Sequence, residues 1–88
     1  MEIVYGLFNY IEINLNDVNY KNQIEEIVEN LYILLNNLLV SIKEDNQLFD
    51  NLKKRIIYFT ELKVSEYEAL SNKILFKFID ILEEFEDE

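Results

Sequence analysis

Residues 24–42, with the sequence IEEIVENLYILLNNLLVSI, decide the fold of this chain. Large aliphatic residues recur in this stretch at intervals of three and four, which is the spacing of one broad face of an α-helix. The residues on this face are Ile24, Ile27, Val28, Leu31, Leu34, Leu35, Leu38, Leu39 and Ile42. Glu25, Glu26 and Glu29 fall elsewhere on the same helix. The pattern therefore predicts a long amphipathic helix from about Tyr20 to Lys43.

Two further helices are expected downstream. The side chain of Asp45 or Asn46 can accept from the free amides of a first turn, so a helix is predicted to begin there and to run to about Leu62. The sequence SEYE at residues 65–68 has the pattern of a capping box, with Ser65 as the cap and Glu68 reaching back to it, and predicts the start of a last helix. The inward faces are expected to carry Leu48, Phe49, Leu52, Ile56, Phe59 and Leu62 in the first of these helices, and Tyr67, Leu70, Ile74, Phe78, Ile81 and Phe85 in the second.

The first fifteen residues give two signals. A helical face is formed by Ile3, Val4, Leu7, Phe8, Ile11 and Leu15. The stretch IEINLN at residues 11–16 instead alternates as a strand does. Helix is favoured, because a lone strand would have nothing to pair with in this chain. The absence of proline and the presence of a single glycine also argue against hairpins and parallel sheets. The predicted fold is all-α, a small bundle of three to four antiparallel helices in one domain, residues 1–88.

Composition narrows the cellular setting. Cysteine is absent, so no disulfide framework forms. The N-terminal residues carry Glu2 where a secretory signal would carry Lys or Arg. The most apolar stretch, residues 31–40, is interrupted by Asn36 and Asn37 and is too short to span a membrane. A cytoplasmic location is expected.

The residue types also argue against catalysis and against metal or cofactor binding. The chain has no histidine and no cysteine, which are the commonest general base and the strongest nucleophile. Zinc and iron sites use the same two residues. Phosphate-binding loops need several glycines, and this chain has one. The chain is therefore expected not to be an enzyme and to use no cofactor or metal.

The charge of the chain indicates the kind of partner. Its net charge is −10, which disfavours nucleic acid and anionic membranes and favours a protein with a basic surface. The one basic run, Lys53–Arg55, lies near Tyr58 and would be a small patch for nucleic acid. The acids Asp50 and Glu61 are spaced to pair with Lys54 on the same helix, so we expect local charge pairing and no direct binding to nucleic acid.

A candidate protein-binding surface lies on the last helix. Phe76 and Ile79 fall outside its inward face, next to acidic residues. Exposed apolar groups mark interaction sites when they cluster, and tyrosine is common at interfaces. The candidate partner-binding residues are Tyr58, Phe76, Ile79, Asp80, Glu83, Glu84, Glu86 and Asp87. These residues favour the interpretation that the chain is a non-catalytic protein that inhibits or regulates a basic partner, for example a nucleic-acid enzyme. By composition such a protein is analogous to immunity proteins, phage anti-defence proteins such as anti-CRISPRs, and DNA mimics.

A second interpretation concerns the long helix. Ile33 and Val40, seven residues apart, project from the face opposite its apolar stripe. The chain would then be a helical structural or regulatory subunit that forms a homodimer or joins a larger assembly through its spare apolar residues. Ile33 and Val40, with Phe76 and Ile79 of the last helix, would form the contact, and the acids would face solvent.

Overall fold

A computed structural model describes residues 1–86 and confirms the all-α prediction. The helices are α1 (Glu2–Asn14), α2 (Lys21–Lys43), α3 (Asn46–Thr60) and α4 (Asn72–Glu86), with short 3-10 turns at Val18–Tyr20 and Val64–Glu66. No strand occurs among these residues, so the helical interpretation of the first segment is correct and the alternating IEINLN pattern does not decide its structure.

The helix directions follow from contacts between side chains. The Tyr10 hydroxyl near the end of α1 donates to Gln23 at the start of α2 at 2.7 Å. Ile3 at the start of α1 lines a groove with Leu38 in the second half of α2, so the two helices form an antiparallel pair. Lys53 on α3 contacts Glu86 near the end of α4, and Phe59 near the end of α3 stacks on Phe78, so α3 and α4 are antiparallel as well.

The helices α2 and α4 run parallel to each other. Ser71, just before α4, donates to Glu25 near the start of α2 at 3.0 Å, and Lys77 lies over Tyr32 one to two turns further along both helices. With the antiparallel neighbours this gives an up-down-up-down bundle.

An entirely apolar core holds the bundle together in the described residues. Three aromatic rings meet at its centre: Phe8 lies 5.6 Å from Phe59 and 6.5 Å from Phe78, and Phe59 lies 4.7 Å from Phe78 between ring centroids. All three side chains are fully buried. No polar or charged residue among residues 1–86 is buried, so apolar burial and ring packing are the main favourable terms of folding.

The sequence predicts the start of α3 correctly and the start of α4 incorrectly. Asp45 caps α3, with its carboxylate accepting from the Leu48 amide at 3.1 Å, as expected. The Ser65 capping box does not form, because Ser65 lies in a 3-10 turn and Tyr67 is extended. Ser71 caps α4 instead, accepting from the Ile74 amide at 3.2 Å.

Tertiary contacts explain the shifted start of α4. The Ala69 amide donates to the Leu15 carbonyl at the end of α1 at 2.9 Å. Ala69 and Leu70 are both buried. A helix that began at Ser65 would place this Ala69 amide in its own hydrogen-bond ladder and would remove the tie to α1.

One residue of the expected inward face of α1 points outward. Ile3 is 74% exposed, whereas Val4, Phe8, Ile11 and Leu15 are buried. Successive helical residues are turned by about 100°, and Ile3 lies on the flank that faces α2. There it lines an apolar groove of about 560 Å³ together with Met1, Leu34 and Leu38.

Candidate protein-binding surface

The exposed side of α4 carries four of the predicted partner-binding residues in a continuous row. Phe76 is 64% exposed and Ile79 is 37% exposed. Asp80 and Glu83 are exposed beside them. The spacings of three, four and seven residues from Phe76 place all four on one side of a helix. We call these four residues the α4 face.

The α4 face is held in position by the buried side of the same helix. Ile74, Phe78, Ile81 and Phe85 are buried there, and Phe85 stacks on Phe49 of α3 at 5.3 Å. Because this packing continues to the last turn of α4, the exposed carboxylates stand on an ordered helix.

The carboxylates of the α4 face have no cationic partner in the described part of the chain. Within residues 1–86, neither Asp80 nor Glu83 forms a salt bridge. The nearest lysine along the helix, Lys77, lies 4.8 Å from the ring of Tyr32 on α2 and is thereby directed away from the face. An apolar ring and two unneutralised acids are thus presented together.

The other predicted acids lie at the edge of this surface or beyond it. Glu84 is half-buried. Glu86 is exposed and lies 3.9 Å from the Lys53 ammonium of α3, a distance at the limit of an ion pair. Asp87 lies outside the described residues. The row of negative charge therefore centres on Asp80 and Glu83.

Tyr58 is exposed as expected but lies on another side of the bundle. On α3, Lys53 reaches Glu86 of α4, whereas Arg55 reaches Glu12 of α1. The two side chains therefore leave opposite flanks of α3. Tyr58 follows Arg55 by three residues, shares its flank, and lines a shallow depression with Arg55 and Glu12. The structure does not bring Tyr58 together with the α4 face.

The surroundings of Tyr58 raise the pKa of its phenol above the ordinary value of 10.0. Partial desolvation is the largest cause, followed by the negative charge of Glu12, while the positive charge of Arg55 acts in the opposite direction. The phenol is therefore protonated and neutral at physiological pH, where it acts as a hydrogen-bonding group.

The basic run of α3 pairs with other helices instead of with its own. Arg55 donates to Asn9 at 2.7 Å and to Glu12 at 3.1 Å, and its guanidinium lies 5.5 Å from the centre of the Phe8 ring. Lys53 contacts Glu86. The expected pairing of Lys54 with Asp50 and Glu61 is wrong for the described residues, because neither acid forms a salt bridge there.

The two residues predicted for self-association are exposed on α2. Ile33 is 57% exposed and Val40 is 75% exposed. Their separation of seven residues places them in one row, about 10 Å apart along the helix.

Sequence reasoning missed two exposed apolar residues on α1. Ile3 belongs to the predicted inward face but is 74% exposed, and Ile13, which has no place in the predicted face, is 79% exposed. Ile3 and Ile13 are each five residues from Phe8, and a helical projection of α1 places both about 140° from it, so the sequence itself indicates the exposure of both residues.

The described residues were also compared with what metal binding and membrane crossing require. Residues 1–86 contain no group of three or more acidic side chains arranged to hold a metal ion. None of the helices formed by these residues has the length and apolar character that crossing a membrane requires.

The comparisons with known proteins give no family for the chain: no family model matches it, and it has no significant similarity to a curated protein or to a solved structure.

Proposed function

We propose that this chain is a non-catalytic protein that binds a basic partner through the α4 face and inhibits or regulates that partner by occupying its surface. The observation that supports this best is the pairing of Phe76, 64% exposed, with Asp80 and Glu83, which form no salt bridge within residues 1–86. A cytoplasmic location and a phage or bacterial anti-defence role, as in anti-CRISPR proteins, belong to this proposal.

Each part of the α4 face has a task in this binding mode. Phe76 supplies the apolar anchor that buried hot spots of interfaces need. Asp80 and Glu83 speed the encounter and select a partner rich in Lys and Arg. Because α4 is already folded and packed, little conformational entropy is lost when these side chains are bound. Nucleic-acid enzymes present clusters of Lys and Arg to phosphates, and such clusters fit a carboxylate row.

A capture experiment with charge-reversed variants tests this proposal. The wild-type chain is immobilised, exposed to a lysate of its native host or of the target cell, and the bound proteins are identified by mass spectrometry. The variant Asp80→Lys/Glu83→Lys is compared with Glu26→Lys/Glu29→Lys, which changes the net charge equally but on the exposed side of α2.

We expect a basic protein that is captured by the wild type and by the α2 variant and lost by the α4 variant. Its binding should weaken steeply as salt rises from about 0.05 to 0.5 M, because screening shortens the range of the attraction. Phe76→Ala should weaken it by about tenfold or more. Equal loss in both charge variants would mean that only net charge matters and would contradict a role of the α4 face.

A second candidate function is supported by a different observation. Ile33 and Val40 are both more than half exposed on α2, which is unfavourable for large aliphatic side chains that cluster on a monomer. They favour a structural or regulatory subunit that self-associates or joins a larger assembly. Light scattering across a concentration series measures this, and a chain that stays monomeric throughout would contradict self-association.

A further inference from the structure

The middle of α2 carries the longest stretch of the chain without a charged residue, residues 30–42. Six of its residues are exposed: Asn30, Ile33, Asn36, Asn37, Val40 and Ser41. We call these six residues the neutral face. Its neutrality is unusual in a chain with 18 acidic and 8 basic residues.

Charge decides which molecule can cover the neutral face. Two copies of this chain carry −10 each and repel one another wherever acidic surfaces meet. Within residues 30–42 a second copy meets no carboxylate, so the central apolar contact forms without repulsion between acids. A basic partner, in contrast, gains nothing at this face and is better matched by the α4 face.

The order of residues on the neutral face is symmetric. Ile33 and Val40 lie at equal distances on either side of the pair Asn36 and Asn37. If a second α2 lies antiparallel about a two-fold axis between these asparagines, Ile33 of each copy packs against Val40 of the other. The amide groups at the centre then face each other, and amides can both donate and accept hydrogen bonds.

A parallel arrangement is less favourable electrostatically. It would set Glu26 and Glu29 of one copy beside the same two acids of the other. The antiparallel arrangement about this axis sets Glu29 of each copy opposite Glu44 of the other, next to Lys43, and opposes no carboxylate to the same residue of the second copy.

The groove lined by Met1, Ile3, Leu34 and Leu38 lies on the side of α2 where α1 packs and takes no part in this contact. Leu34 and Leu38 are turned by more than about 100° around α2 from the centre of the neutral face. An interface that spans about 20 Å of helix is at the small end for stable complexes.

We propose that two copies of this chain associate through the neutral face, with their α2 helices antiparallel about a two-fold axis near Asn36 and Asn37. This inference rests on the second candidate function and adds to it the interface and its symmetry. The acids of the two α4 faces take no part in it.

Analytical ultracentrifugation of the full chain tests the association itself. We expect a shift from the monomer mass of 10.6 kDa to twice that value, with a midpoint between about 1 µM and 1 mM as suits a small interface. Added salt should strengthen the association, because it screens the repulsion between the two copies. A chain that remains monomeric to about 1 mM overturns this inference and the self-association in the second candidate function, whereas a role as a subunit of a larger assembly does not depend on this result.

Charge insertions locate the face. Val40→Glu should raise the dissociation constant by about 100-fold or more, because two carboxylates enter the contact. The matched control is Ile13→Glu on α1, an equally exposed side chain outside the neutral face, which should leave the dissociation constant unchanged. Association that survives Val40→Glu overturns the proposed face. Circular dichroism checks that each variant remains helical.

Single cysteines test the symmetry, since the chain has no cysteine of its own. Under mild oxidation Asn36→Cys or Asn37→Cys should form a disulfide-linked dimer, because each lies beside its own copy at the axis. Val40→Cys should cross-link to Ile33→Cys in a mixture and poorly to itself. Self-cross-linking of Val40→Cys in a chain that does associate overturns the antiparallel geometry while leaving self-association intact.

Discussion

Arg55 of α3 and Glu12 of α1 form a salt bridge at 3.1 Å across 43 residues of sequence. The same guanidinium donates to Asn9 at 2.7 Å and lies 5.5 Å from the centre of the Phe8 ring. Arg55 therefore fastens α1 to the bundle by its charge, its hydrogen bonds and its packing on an aromatic ring.

Removing Arg55 should loosen this attachment. We expect Arg55→Ala to lower the free energy of unfolding by about 1–2 kcal/mol, since two hydrogen bonds and ring contact are lost at a partly exposed site. Glu12→Gln should cost less than about 1 kcal/mol, because Asn9 and Phe8 still hold the arginine. Urea denaturation measures both. The exposed neighbour Lys54→Ala is the control and should change stability by less than about 0.5 kcal/mol.

Truncation of two phenylalanines of α4 should change the free energy of unfolding by very different amounts. Phe78 is fully buried against Phe8 and Phe59, so Phe78→Ala should lower the free energy of unfolding by about 3–5 kcal/mol. Phe76 is 64% exposed, and Phe76→Ala should change it by less than about 0.5 kcal/mol. Similar losses in thermal or urea denaturation would show that the exposed and buried sides of α4 are wrongly assigned.

Capping variants test where α4 begins. Ser71 accepts from the Ile74 amide, so Ser71→Ala should lower stability by about 1 kcal/mol. Ser65 lies in a 3-10 turn and caps no helix, so Ser65→Ala should have little effect. The reverse order of effects in urea denaturation would indicate a helix that starts at the SEYE sequence.

Gly6 is a position where stability can be gained. It lies within α1, and a methyl group added at its Cα meets no atom within 4 Å other than its chain neighbours and the nearby backbone of its own helix. We expect Gly6→Ala to raise the free energy of unfolding by about 0.5–1 kcal/mol, because alanine loses less backbone entropy in a helix than glycine. A lower melting temperature for this variant would contradict the open space at this position.

Ionisation of Tyr58 should lower the stability of the fold at alkaline pH. Its folded pKa is raised above 10.0 by partial desolvation and by the Glu12 carboxylate. A raised pKa contributes stability that is fully present below the unfolded pKa and is lost as pH rises through the folded pKa. Ionisation of Tyr58, followed by tyrosinate absorbance against a Tyr58→Phe reference, should therefore occur at higher pH than in an unfolded peptide. Glu12→Gln should lower the pKa of Tyr58, and an unchanged pKa would contradict the influence of that carboxylate.

Helical periodicity carried most of the fold prediction. The predicted helix from about Tyr20 to Lys43 and the observed α2, Lys21–Lys43, differ by one residue. Periodicity also predicts which apolar residues are exposed, because a residue opposite the buried side of a surface helix faces solvent. These residues are Ile33, Val40, Phe76 and Ile79. Whether these residues bind a partner or a second copy stays a prediction.

Contacts between distant segments account for the errors. The Ser65 capping box is a local signal, and it is overruled because the Ala69 amide bonds to Leu15 while Leu70 enters the core. The sequence does not tell which helix lies on which flank of α3, so it cannot separate Tyr58 from the acids of α4.

The sequence alone determined that the chain forms three to four amphipathic helices, that their apolar residues lie mostly on one side of each helix, and that the whole is strongly acidic, because these are properties of local spacing and of composition. Only the tertiary structure decided that Arg55 and Lys53 are engaged by α1 and α4, that Ile3 borders a groove, and that Asp80 and Glu83 stand without a cationic partner within residues 1–86. Which charges meet depends on how the helices pack, and that packing is set by the shape of the shared core and not by spacing along any one helix.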